Sequence, residues 1–217
     1  MCPHPSGVLR QLAPLALALA LLAPAASAAT PGCAPAGAKL LRASALARVY
    51  SVGTALYGCA GASTTKLGAL AGTSAAPATR ITRYLLAGRY VAVDTVEMGV
   101  DTFSSTVTLI DLANGVRADS PAAPPLPRPE SFRTVTQMAL DADGIVAWIG
   151  RASAIGLPKP DYYVRALSAS SSFATHITAS RPTDLRLSGH QLSWRDGQNG
   201  PRTTTTIATG PLHSRRR

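Results

Sequence analysis

The sequence predicts an all-β protein: an antiparallel, propeller-like array of about four small blades, with a β-sandwich as the alternative. Three observations carry this. Short apolar runs alternate with polar residues at period two, as in Thr106-Val107-Thr108-Leu109-Ile110. Glycines punctuate these runs at tight turns, at Gly53, Gly88, Gly144 and Gly189. The runs group into a strand–turn–strand–loop–strand unit that recurs along the chain, and units of about 40–45 residues with short antiparallel strands mark propeller blades. A sandwich of eight or more strands has similar turn spacing.

The first unit reads Ala47 to Gly53, Ala55 to Cys59, then Lys66 to Leu70. The second is the clearest: Ile81 to Gly88, Arg89 to Asp94, and Thr106 to Leu112, ending at the turn pair Asn114-Gly115. A Pro-rich stretch, Pro121 to Pro129, reads as a stiff surface loop. The third unit runs Thr134 to Leu140, turns at Asp141-Ala142-Asp143-Gly144, continues Ile145 to Ile149, and adds Tyr162 to Leu167; Phe173 to Ile177 makes a fourth strand. The last is Leu185 to Gly189, Gln191 to Trp194 and Arg202 to Ile207. The apolar run Ala38-Lys39-Leu40-Leu41 stands ahead of the first unit. Pairing it with the last unit would cover an exposed strand edge.

Residues 1–28 read as a secretory signal peptide. Arg10 supplies the charge, residues 12–23 the apolar run, and Ala26-Ser27-Ala28 the small-residue cleavage site. The apolar run is too short for a membrane anchor, and no later stretch approaches 18 apolar residues, so no span is expected in the mature chain. Residues 29–210 form the β domain and 211–217 a basic tail. Export removes Cys2 and leaves Cys33 and Cys59, which an oxidising compartment would join in a disulfide. The expected location is secreted, extracellular or associated with the cell envelope.

The Asp143-Gly144-Ile145-Val146-Ala147-Trp148 segment and the Leu109-Ile110-Asp111-Leu112 ending with Asn114-Gly115 resemble the repeats of TolB-like β-propellers. There a D-G-x-x-[AV]-[FW] hairpin leads to a strand and a turn. The resemblance spans roughly residues 38–208 and extends to small secreted actinobacterial proteins built on the same blade pattern. It implies a propeller fold and no particular activity.

Chemistry-bearing constellations are sparse. No G-x-S-x-G elbow occurs; Gly61-Ala62-Ser63-Thr64-Thr65 fails at its last position. His176, His190 and His213 read as strand, turn and tail histidines. No Cys/His spacing suits zinc and no phosphate loop is present. Asp141-x-Asp143-Gly144 lacks the further oxygen ligands of a calcium loop and suits a β-turn. Trp148 and Trp194 occupy similar places in two units and read as core. Neither catalytic residues nor a cofactor or metal site are expected.

Hydrolysis of an extracellular polymer would have to draw on carboxylates such as Asp94, Asp111 or Asp143. The first expectation is a non-enzymatic interaction or scaffold module whose partner is another protein or an envelope polymer. The second follows from charge. With 21 Lys+Arg against 11 Asp+Glu the chain carries +10, almost all of it arginine. That suits an anionic envelope polymer. The arginines are scattered along the sequence and show no recognition helix, so sequence-specific nucleic-acid binding is not expected.

Overall fold

The structure, a computed structural model, describes residues 33–70, 79–100, 102–124, 131–168, 171–177 and 180–207. The leader, the basic tail with His213, and residues 125–130 of the Pro-rich stretch lie outside the described residues. Among these residues every regular element is a strand, and no helix is long and apolar enough to cross a membrane.

The strands follow one another as up-and-down meanders. The first comprises β1 (Lys39–Ala43), β2 (Arg48–Val52), β3 (Ala55–Ala60) and β4 (Ser63–Ala69). The second comprises β5 (Arg80–Ala87), β6 (Tyr90–Met98), β7 (Phe103–Asp111) and β8 (Arg117–Pro121). The third comprises β9 (Ser131–Leu140), β10 (Ile145–Ala154), β11 (Asp161–Ser168) and β12 (Ser172–Ile177). The last, β13 (Pro182–Ser188), β14 (Gln191–Asp196) and β15 (Arg202–Thr206), has three strands. A short parallel pairing, Phe103 with Phe132 and Ser104 with Arg133, joins the second and third meanders into one eight-stranded sheet. The protein is therefore all-β, with antiparallel and mixed sheets, none of them closed.

Turn chemistry explains the tight hairpins. Gly53, Gly88 and Gly189 each open a two-residue loop at φ 57°, 55° and 53°. Glycine alone takes that left-handed position without steric cost, and the resulting turn matches the strands' twist. The β9–β10 turn is longer and is held by Asp141, whose Oδ1 accepts the backbone N–H of Asp143 (3.1 Å) and of Ile145 (3.0 Å).

Period-two alternation gives the second and third meanders two apolar faces each. In the second, Val91, Val93, Ile110 and Leu112 pack against Val49, Leu56 and Leu67 of the first. The intervening Ala92, Val107 and Leu109 pack against Val135, Val146, Trp148 and Leu167 of the third. On the third meander's other face, Ile145, Ala147, Ile149 and Val164 meet Leu192, Trp194 and Ile207. Three apolar layers thus lie between successive meanders. Close approach at the first layer needs Gly58, where a Cβ would stand 2.6 Å from Leu112 Cδ2.

Two expectations need correction. The run 38–41 does not pair with the last unit: β1 lies beside β2, with Lys39 opposite Ser51 and Ala43 opposite Arg48. The reason is proximity. A short turn held by Ser44, whose Oγ accepts the N–H of Ala47 at 2.9 Å, joins the two strands. Closing that loop costs far less chain entropy than reaching the chain's other end.

The Pro-rich stretch is not wholly a surface loop either. Pro121 ends β8, and Ala122 and Ala123 are fully buried. The Ala122 carbonyl accepts the Trp148 Nε1–H at 2.9 Å and lies against Gly150, where an added Cβ would sit 1.8 Å away. A buried carbonyl needs a donor, and the indole supplies it.

The disulfide expected between Cys33 and Cys59 is present, with a Cα–Cα distance of 6.1 Å. It anchors the segment ahead of β1 to β3.

Candidate functional site

The candidate carboxylates do separate work. Asp94, in the middle of β6, is buried, and its Oδ2 accepts the Thr82 hydroxyl at 2.8 Å. Burial pushes its carboxyl up from the ordinary range, against the opposing influence of the Thr82 and Ser105 hydroxyls and the Arg83 charge. Asp111, at the end of β7, pairs through Oδ2 with Arg89 Nη2 at 2.9 Å, while its Oδ1 accepts the Ala113 N–H at 3.0 Å. Arg89 also donates to the Tyr90 hydroxyl and lies over its ring, so hydrogen bonding to Tyr90, then the Asp111 charge, raise its pKa further. Asp143 is exposed in the β9–β10 turn that Asp141 caps.

Two other carboxylates, missed by sequence reasoning, do share a cleft. Glu97 and Asp119 line a space of about 380 Å³ between the first and second meanders, with Thr95, Thr106, Thr108 and Arg117. The buried Thr108 hydroxyl donates to Asp119 at 2.5 Å. Both carboxylates are exposed. The cleft is open, and Leu67, Ala69 and Ile81 form an apolar part of its wall.

Both tryptophans are core residues. Trp148 is fully buried, with Arg165 Cζ 5.7 Å from its ring centroid, and Trp194 lies in the layer between β10 and β14. Arg165 Nη1 donates to the Pro121 carbonyl at 3.0 Å, and its partial burial lowers its pKa. His190 is exposed in the β13–β14 turn. His176 belongs to β12. Among the described residues no three His, Cys, Asp or Glu side chains group as metal ligands.

A dense charge cluster lies on the last sheet. Leu192, Trp194, Leu185 and Leu187 turn inward, so the opposite pleat carries Arg186, Ser193, Arg195, Arg202 and Thr204. Asp184 lies at the irregularity between Thr183 and Arg186, at φ 51°. Three guanidinium groups converge on it. Arg186 Nε donates to Oδ1 at 3.0 Å, Arg195 Nε reaches Oδ2 at 3.4 Å, and Arg202 Nη2 also donates to Oδ2. The Arg186 hydrogen bond first, and the neighbouring guanidinium charges, hold the Asp184 carboxyl below the ordinary range.

The sequence scattered these arginines at 186, 195 and 202; the strand register, with Arg195 directly opposite Arg202, brings them together. Counting positions at period two across three predicted strands was the available signal.

The chain matches no protein-family model and no curated protein.

Proposed function

We propose that the protein is an exported, non-enzymatic interaction module of the cell envelope or extracellular space, built as a propeller-like array of four small blades similar to TolB-like repeats. The carrying observation is how the groups that might serve chemistry are used. Asp111 is in an ion pair, Asp143 is in a turn, Asp94 is buried within the meanders, and both tryptophans fill the core. What remains for function is surface, including the open cleft that Glu97 and Asp119 line.

The blade reading is supported by the succession of meanders, each inner one apolar on both faces. The last sheet's outer pleat is polar, as expected of a capping unit that ends a stack. The first meander instead carries Leu40, Tyr50 and Tyr57 in one cross-strand row opposite the Val49 face, with the two tyrosine rings stacked 5.5 Å apart. An arginine-bearing face and an aromatic row do not pack as two apolar layers do, which favours an open array over a ring. Export is supported by the charged, apolar and small-residue order of residues 1–28, with the Cys33–Cys59 bridge in keeping.

The test has two parts. Intact-mass analysis of the secreted protein should show cleavage near Ala28; retention of Met1 would contradict export. The purified protein, mixed with washed envelope material from the producing cell, should sediment with it saturably while releasing no soluble product. Release of sugars or peptides would mark a hydrolase, and the absence of saturable retention would remove the envelope reading.

A second reading, binding of an anionic envelope polymer, is favoured by the guanidinium cluster on the last sheet.

A further inference from the structure

We propose that the outer pleat of β13–β15 binds an extended phosphate-bearing polymer, and that Asp184 occupies the place of one phosphate group when the polymer is absent. This rests on the anion-binding reading and names its site and ligand class.

The geometry begins with excess donors. Each guanidinium offers five N–H groups in a planar fork. Around Asp184, Arg186 uses Nε and Arg195 uses Nε, with Arg195 Nη1 on the Gly200 carbonyl. Arg202 uses Nη2 on the carboxylate and Nη1 on the Asp184 carbonyl and the Ser193 hydroxyl. Three cations thus address one anion, leaving the cluster two positive charges in excess. A carboxylate holds its two oxygens in one plane, whereas a phosphate group sets its oxygens tetrahedrally around one centre and can be approached by forks from several directions. The surplus of convergent forks suits the latter.

Solvent access fits a polymer rather than an enclosed small ion. The Arg186 and Arg195 side chains are 68% and 42% exposed, so both stand at the surface. Arg195 and Arg202 face each other across β14 and β15, while Arg186 stands opposite Ser193, two residues away along β14. Their backbones are thus spread over roughly 7 Å of strand, while the three guanidinium groups meet at one open place on the surface. Exposed Gln191, Thr204 and Thr206 continue the polar surface.

Asp184 is the one described non-glycine residue in the left-handed region, on a bulge that turns it toward all three arginines. A side chain so placed preorganises the forks and competes with an incoming anion. Its removal should therefore tighten binding.

The experiment measures binding of inorganic polyphosphate, and separately of polyglutamate, to the full chain and its variants at low and moderate salt. The basic tail is common to every variant. Arg186→Gln and Arg195→Gln are each expected to weaken polyphosphate binding by about tenfold, the loss of one charge-assisted contact. Each should also lower the salt dependence by about one counterion. Asp184→Asn is expected to tighten binding severalfold, since Asn tolerates the left-handed region. Arg42→Gln, on β1, should change nothing. Melting curves check folding; should Arg195→Gln unfold, Arg186→Gln, the most exposed of the three, carries the test alone.

Failure of both polymers to bind at low salt would overturn the anion-binding reading itself. Equal affinity for polyglutamate, weakened by the same variants, would keep that reading and overturn the phosphate assignment. Binding indifferent to Arg186 and Arg195 would move the site elsewhere, and weaker binding by Asp184→Asn would overturn the role given to Asp184.

Discussion

Replacing Trp148 by Phe should separate the second and third meanders at a single point. The indole Nε1–H is the donor to the Ala122 carbonyl, 2.9 Å away, and both residues are fully buried. Phenylalanine keeps an aromatic ring in the layer formed with Val107, Leu109 and Val146 but offers no donor. A buried acceptor left without a partner costs about 1–3 kcal/mol. The smaller ring adds a cavity term of about 1–2 kcal/mol. Arg165 also loses part of its contact with the indole face, about 0.5 kcal/mol. The sum is about 2.5–5.5 kcal/mol, a large fraction of an ordinary domain's stability. At about 2–4 °C per kcal/mol for a domain of this size, Tm should fall on the order of 10 °C.

Calorimetry reads the shift directly. Limited proteolysis with elastase should show faster cleavage between Ala122 and Ala123, because the anchor of that segment is gone. Gly150→Ala attacks the same contact from the other side, its Cβ falling 1.8 Å from the Ala122 oxygen. The two substitutions should therefore be non-additive, the double variant losing less than the sum by at least about 0.5 kcal/mol. A Tm within 2 °C of wild type for Trp148→Phe, or strict additivity, would refute the clamp.

Further outcomes follow from the disulfide and the buried carboxylate. Cys59→Ser opens a loop that spans a sequence separation of 26. On the chain-entropy account this is worth roughly 3.5 kcal/mol. The variant should melt well below wild type and be cut first ahead of β1; coincident melting curves would contradict this. Asp94 carries a carboxyl raised by burial above its unfolded value of 3.8. Its favourable contribution is thus fully present below that value and is lost as pH rises through the raised folded value. Ionising the buried group is a cost. Asp94→Asn, which still accepts from Thr82, should flatten the dependence of the urea midpoint on pH above about 4 and leave the protein at least as stable at pH 7. An unchanged pH slope would show that Asp94 does not titrate differently on folding.

Local signals carried much of the fold. Alternation in Thr106–Ile110 marks β7, and the glycines at 53, 88 and 189 sit where two-residue hairpins need a left-handed residue. The cysteine pair was readable because only Cys33 and Cys59 follow the leader expected at residues 1–28. Non-local facts were not legible. β8, Arg117–Pro121, has neither alternation nor β-branched residues and exists through its pairing with β7. Burial of Ala122 depends on an indole 26 residues away. Glu97 and Asp119 share a cleft because β6 and β8 both flank β7, an arrangement no spacing between them announces. The arginine cluster arises in the same way, from the register of three strands rather than from any run in the chain.

The most direct measurement is the saturable retention of purified protein on washed envelope material, wild type against Arg186→Gln combined with Arg195→Gln. Both substitutions lie on the outer pleat of the last sheet, away from every apolar layer, so both proteins should melt alike. An interaction module that engages the envelope through its arginine-bearing end predicts retention of the wild type and loss of at least about tenfold in the double variant. Equal retention of two equally folded proteins would contradict it.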